Sequence, residues 1–311
     1  MAGTLVVSLD FELFWGMLDV CTLDEYRENV LGGRKAIPQM LALFEKYHIH
    51  ATWAAVGFLF AQGPEELRAF FPECRPGYRE EKLNPYPLIS KISAGDAPCF
   101  FAPDLIDLIA QTPGQEIGSH TFCHYYCREA GQTVEEFAAD MAAAKAIAKQ
   151  KGYDVKSVVL PRNQCEPAYT EVLRELGFTA YRDEENDWIH EKIHFRPLKR
   201  LLRLADVYLP LTGLGGYVPK CENGIWNVVG SRMYKPILKP LAFLERVKLA
   251  RIKAQMRHAA KHNLTFHLWW HPHNVGVQTQ KHMQQLEEIF AYFDTLRTQY
   301  GMQSRNMGEI Q

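Results

Sequence analysis

The chain is predicted to fold as an α/β domain around a parallel, barrel-like sheet. Short apolar, β-branched runs alternate with longer amphipathic stretches, and the residues best suited to chemistry follow directly on the carboxyl ends of those runs. Size points the same way. At 311 residues, 47% of them hydrophobic, the chain can bury one large core, and no Gly/Ser-rich or Pro-rich linker and no repeat divides it. A single domain spanning 1–311 is expected.

Strands are expected near 4–9, 49–56, 115–118, 157–160, 178–182, 205–209 and 264–271, with helices at 26–47, 133–151, 166–176, 240–262 and 279–298. The first run, Thr4 to Leu9, is short, apolar and β-branched, so it reads as a buried strand that delivers Asp10 and Glu12 just past its end. The 133–151 segment is alanine-rich and strongly helix-forming; Asp140 and Lys145 are expected on the face opposite its apolar stripe. Two stretches break the alternation. Residues 58–103 carry Pro64, Pro72, Pro76, Pro85, Pro87 and Pro98, and residues 183–236 open on an acidic run ending in Asp187-Trp188. Both read as insertions that form a lid or binding loop. Gly213, Gly215 and Gly216 read as a turn, because no strand-to-helix context surrounds them.

The chemistry is concentrated in two places. His120 and His124 are four residues apart, a spacing that puts two imidazoles on one side of a helical turn and within reach of one cation. Catalytic sites of this kind take a carboxylate as third protein ligand, and Asp10 and Glu12 are the candidates. Both halves follow predicted strands, so they open on the face where α/β sheets build their sites. On its own a His-x-x-x-His spacing is weak, and an isolated pair is more often two ordinary polar side chains. A structural zinc knot using Cys123 and Cys127 competes, yet Cys21, Cys74, Cys99, Cys165 and Cys221 are scattered and complete no Cys-x-x-Cys pair.

With these residues in view, the sequence resembles the polysaccharide deacetylases, the NodB-homology or family-four carbohydrate esterases. The resemblance rests on five segments in order over most of the chain. They are Asp10-Phe11-Glu12, His120-Thr121-Phe122-Cys123-His124, Pro161-Arg162-Asn163-Gln164, Asp187-Trp188, and His267 to Asn274 with its Trp269-Trp270-His271-Pro272-His273 core. Ala51 to Gly57 also resembles the family's second strand. The resemblance implies a distorted (β/α)7 barrel and a metal-dependent hydrolase of amide bonds in acetylated sugars. It implies Asp10 as general base, Arg162 as its orienting partner, Glu12, His120 and His124 as metal ligands, and a late histidine as general acid. Asn163, Asp187, Trp188, Trp269 and His273 are implied in substrate binding. A cation beside an ionised Asp and a histidine that titrates near neutrality suits amide hydrolysis physically.

Some assignments stay open. One residue separates Asp10 from Glu12, and strand alternation lets both converge on one site, leaving either as the metal ligand. Pro161 precedes Arg162, whereas the family places its proline after the arginine. His267, His271 and His273 compete as the acid; His271, standing where the apolar strand ends, is preferred. Of Trp269 and Trp270, alternation sends one to the core. The metal is one divalent ion, zinc by default, with cobalt, manganese, nickel and iron as alternatives. The expected activity is removal of an N-acetyl or N-formyl group from an amino sugar of a polysaccharide, nucleotide-sugar or lipid-linked precursor, in surface-glycan biosynthesis. An amidohydrolase acting on a cyclic amide or imide, or a non-catalytic sugar-binding member, is the alternative.

Net charge near zero (−1) argues against a nucleic-acid partner. Seven cysteines at no framework spacing fit free thiols, and the N-terminus shows neither a charged leader nor a long apolar segment. A cytoplasmic location is expected, with the inner face of the membrane as its variant. From Arg232 to Lys261 nine basic residues are opposed only by Glu245, so a peripheral membrane contact through 232–261 is weighed against a solvated barrel helix, the favoured reading.

Overall fold

The computed structural model describes residues 2–183 and 187–311; Glu184, Glu185 and Asn186, in the acidic run that opens the second insertion, lie outside the described residues. Among the described residues ten strands form one sheet: β1 (Thr4–Phe11), β2 (Ala51–Ala55), β3 (Gln115–Ser119), β4 (Ser157–Val159), β5 (Ala180–Arg182), β6 (Lys220–Glu222), β7 (Ile225–Asn227), β8 (Arg232–Met233), β9 (Thr265–Trp270) and β10 (Gln303–Arg305). Their order is β6-β7-β5-β4-β3-β2-β1-β9-β8, with β10 also paired to β1. Every pairing is parallel except β6 with β7. The ladder is unclosed, although residues 225–233 pair with β5 at their start and with β9 at their end. The predicted α/β class with its parallel sheet is thus the observed one.

Alternation along the strands separates an outer from an inner layer. On β1, Leu5, Val7, Leu9 and Phe11 join the large core beneath the helices, whereas Val6 belongs to a small inner cluster with Ala54, Val159, Ala180, Val228, Met307 and Ile310. That cluster draws on several strands, and the C-terminal Met307 and Ile310 fill its base. The same parity puts Ser8 and Asp10 one and two layers above Val6. On β9, Phe266, Leu268 and Trp270 face outward, leaving Thr265, His267 and Trp269 for the inside. β5 sends Tyr181 outward, so Ala180 and Arg182 point in.

The helices occupy the remaining segments, with two departures from expectation. Residues 205–209 are not a strand: a helix runs Arg196–Tyr208. Leu198, Leu201, Leu202 and Ala205 recur at helical spacing after Pro197 in the first turn, and this pattern outweighs the β-favouring Val207-Tyr208 pair. Asp140 is fully buried in the helix Val134–Gln150 rather than on its wet face. In the helix Glu245–His262, Leu249, Ile252, Met256 and Ala259 are buried, and so are Lys248 and Arg251. Its apolar face therefore packs inward.

Candidate metal centre and active site

His120 and His124 do not sit on a helical turn. Residues 120–124 form a loop after β3 in which Thr121 (φ 64°) and His124 (φ 62°) are left-handed, and this brings the two rings to 5.0 Å between centroids. The strain is held by specific partners. The buried Asp140 carboxylate accepts from Phe122 N–H at 2.7 Å and Cys123 N–H at 3.2 Å, while Thr121 Oγ1 accepts from Tyr125 N–H. Burial pushes the Asp140 carboxyl up to about 6. The 58–103 insertion braces the loop from outside, with Phe58 edge-on to Phe122 and the Tyr78 hydroxyl accepting from Tyr126 N–H. The sequence reading places Asp140 on the wet face of its helix, so none of this support is read from the sequence.

Glu12 meets both imidazoles. Its Oε2 lies 3.1 Å from His120 Nε2 and 3.0 Å from His124 Nε2, all three side chains being buried. Among the described residues these three form the only His/Cys/Asp/Glu group close enough to hold an ion, and no cysteine joins it. A side chain at Gly16 would collide with the Glu12 carboxylate, so glycine there makes its seat. His120 Nδ1–H donates to Val159 O at 2.7 Å, which turns the Nε2 lone pair of a neutral His120 onto the Glu12 oxygen. Two lone pairs facing each other in a buried site need a positive charge between them. The donor set of two imidazoles and one carboxylate fits a divalent ion of the zinc type.

Asp10 is built differently. Arg182 Nη1 and Nη2 each donate to one carboxylate oxygen at 2.7 Å, a buried bidentate pair. Burial raises the Asp10 carboxyl, but Arg182, then His271 and His120, outweigh it and leave the group below the usual range, hence ionised. Arg182 also donates to Ser8 Oγ and Asn163 Oδ1, and its guanidinium lies over the Trp269 ring at 4.2 Å. The partner expected from the sequence, Arg162, is elsewhere. Left-handed at φ 57° after Pro161, it crosses the Tyr126 ring and pairs with Asp19 and Glu129. The sequence signal for Arg182 is its place at the end of a predicted strand, with the parity of Ala180.

The three late histidines separate by position. His267 is buried inside the barrel, with Nδ1–H donating to Val228 O and Nε2 accepting from the Ser8 hydroxyl at 2.7 Å. Burial, and after it Arg182, pushes it down to about 3. His273 is buried too and pushed to about 3, by burial and then His271. Its Nε2 is 3.9 Å from Glu12 Oε1 and its buried Nδ1 has no hydrogen-bond partner. His271 alone is partly open, with Nε2 3.5 Å from Asp10 Oδ2 and 3.7 Å from Glu12 Oε1. Asn274 holds its Nδ1 at 3.3 Å, and Asn274 in turn accepts from the Tyr26 hydroxyl.

A cleft of about 230 Å³ beside Trp269 is lined by Arg162, Asn163, Asp187 and Arg203 among others. Of its lining residues, Arg162, Asn163, Asp187 and Trp269 are the four expected around the base and the substrate. Trp188 is not among them; it is 40% exposed, donates to Leu211 O and lines a neighbouring pocket. Trp270 is in the core.

The polysaccharide deacetylase family model matches residues 21–181, a span that includes both histidines and begins just after Asp10 and Glu12. No curated protein matches the chain at a significant level. A solved structure from Mycobacterium smegmatis, assigned as a polysaccharide deacetylase, is similar with a TM-score of 0.59 at 12% identity, covering 100% of this chain and 90% of that one. One from Pseudomonas aeruginosa PAO1, also assigned as a polysaccharide deacetylase, has a TM-score of 0.57 at 12% identity, over 99% and 88% of the two chains. Puue allantoinase gives 0.57 at 11% identity over 99% and 87%. At these identities the likeness is one of fold. The family match covers more than half of the 311 residues, so the chain belongs to the polysaccharide deacetylase family.

Proposed function

We propose that this protein is a metal-dependent hydrolase that removes an N-acetyl or N-formyl group from an amino sugar of a glycan or glycan precursor. One observation carries the reading: Glu12, His120 and His124 converge beside an Asp10 kept ionised by Arg182, with His271 between the two carboxylates. Glu12, His120 and His124 would hold the ion, zinc by default. When bound, it supplies a Lewis acid that polarises the amide carbonyl and makes a neighbouring water more acidic.

The chain's own groups supply the proton movements. Asp10, fixed by two hydrogen bonds, accepts a proton from the attacking water at Oδ2, the oxygen nearer His271. His271, at the same opening and less buried than its neighbours, carries a proton at Nε2 to the departing amine. Tyr26 and Asn274 set its ring orientation. Trp269, Asn163 and Asp187 line the adjoining cleft and would position the sugar. Each of these groups has a separate task in turnover, and a purely sugar-binding role would not need them together.

The test compares wild type with Asp10→Asn after metal reconstitution, reading acetate or free-amine release from N-acetylated sugars. A loss on the order of 10²- to 10⁴-fold in kcat is expected for removing the base. Metal content should stay the same in both proteins. Full turnover in Asp10→Asn would sink the mechanism.

A further inference from the structure

The surface next to this cleft has an unusual composition. On the helix Arg196–Tyr208 and its approach, Phe195 is 68% exposed, Leu198 41% and Leu201 61%, and Arg196 and Arg200 are exposed between them. The acid in this helix, Asp206, is buried and held by Arg232 and Arg251. Across a groove, Leu238 leads into a 3-10 turn, Lys239–Leu244, that presents Phe243 at 76% exposure, and Lys239 and Arg246 flank it. Apolar side chains in water interleaved with cations describe a face suited to an anionic interface.

The groove joins that face to the site. It has a volume of about 470 Å³ and is lined by Leu204, Val207, Tyr208, Met233, Pro236 and Leu238, with Arg200, Arg203 and Lys235 among its polar walls. Asn274, the residue that touches His271, also lines it. Arg203, Val207, Met233 and Lys235 line both the groove and the cleft beside Trp269, so two basic side chains stand where the two volumes meet, Arg203 also lying 3.9 Å from the Asp187 carboxylate.

Building on the deacetylase reading above, we infer that the helix Arg196–Tyr208 and the turn Lys239–Leu244 seat the protein on an anionic bilayer. In the same step, the groove takes the phosphate and first hydrocarbon segment of a lipid-linked amino sugar. The cations at the junction match a phosphate, the apolar walls match a hydrocarbon chain, and the sugar on the far side of the phosphate falls in the cleft by Trp269. No helix among the described residues is long and apolar enough to cross a membrane, so the attachment is peripheral. The turn Lys239–Leu244 and Arg246 lie within the basic stretch 232–261 read from the sequence, while Leu249, Ile252, Met256 and Ala259 of the following helix pack inward.

Vesicle flotation tests the surface without any turnover. Wild type is expected to float with vesicles of phosphatidylcholine and phosphatidylglycerol at least tenfold better than with phosphatidylcholine alone, and to be released by high salt. Leu201→Gln with Phe243→Gln, and separately Arg200→Glu, should each lower flotation tenfold. The same proteins are then given N-acetylglucosamine linked through a diphosphate either to a polyprenyl chain or to uridine. Amine release from the polyprenyl form is expected to exceed that from the uridine form tenfold, and the Leu201/Phe243 variant should erase this preference. Absence of flotation by wild type overturns the surface, and equal release from both substrates overturns the lipid groove. Intact flotation with no amine release from any N-acetyl sugar would instead refute the deacetylase reading and leave the surface standing.

Discussion

Two arginines leave the ends of adjacent strands and end in opposite environments. Arg182, last residue of β5, is fully buried and gives both Nη atoms to Asp10. Arg162, just past β4, keeps 39% of its side chain exposed and spends its charge on Asp19 and Glu129 at the rim. The family pattern points to Arg162 as the partner of the base; the geometry gives that place to Arg182. Asn163 links the two, since its Oδ1 accepts from Arg182 Nε. What decides the matter is strand parity, because Arg182 shares the inward face of Ala180 whereas Arg162 follows a proline in a left-handed turn.

The largest effect should come from Arg182→Met. With the guanidinium gone, Asp10 is left as an uncompensated charge in a buried site, a loss of roughly 3–5 kcal/mol. Urea denaturation would read it. Turnover should fall about as far as in Asp10→Asn, since the base loses its orientation. The double variant Arg182→Met with Asp10→Leu sharpens the point: removing both charges should restore most of the stability and none of the activity. A single variant as stable as wild type would mean that the pair is not the organising contact.

His267 extends the contrast into pH. It shares Ser8 with Arg182, and burial together with that guanidinium holds it near 3, far below an exposed histidine. Folded, it binds its proton only near pH 3; unfolded, near 6.5. Unfolding therefore takes up a proton anywhere between, and stability contributed above pH 6.5 is lost as pH falls toward 3. One such group gives a slope of about 1.4 kcal/mol per pH unit. His267→Gln should be flatter than wild type by about that amount between pH 6 and 5, with His273 and His282 supplying slope common to both proteins. Identical slopes would show that His267 is charged in the folded protein.

Much of this was legible in the sequence, and the misses share a cause. Strand β1, the pair Asp10 and Glu12 and the split between Trp269 and Trp270 follow from local patterns of period two, and the two loop histidines from their four-residue spacing. His120 and His124 were correctly paired but on the wrong backbone. The loop needs left-handed Thr121 and His124, and it is paid for by Asp140, a carboxylate 16 residues beyond His124 whose partner no local pattern names. Arg182 is harder to read because the family's arginine motif matches Arg162, and only the inward face of Ala180 reveals the parity of Arg182. Helix Arg196–Tyr208 has a strong helical period in Leu198, Leu201, Leu202 and Ala205, but its last residues, Val207-Tyr208, look like a strand, and it lies inside the stretch that reads as an insertion.

Arg162→Gln is expected to have the smallest effect, and it is the variant that separates the two arginines most directly. Its ion pairs lie at a partly wet rim, where such pairs contribute up to about 1 kcal/mol, and its stacking on Tyr126 adds a similar amount at most. Thermal denaturation should therefore move by only a few degrees. Tyr126 does pack edge-on against His124, and Arg162 lines the cleft, so the residue borders both the proposed metal site and the cleft proposed for the sugar. The expected kinetic result is a raised KM for a phosphate-bearing substrate with kcat kept within a few fold, because a rim cation acts on binding rather than on the base. If Arg162→Gln instead abolished kcat while Arg182→Met kept it, the base would be oriented from β4 in the working enzyme, and the pair seen at Asp10 would be a resting arrangement.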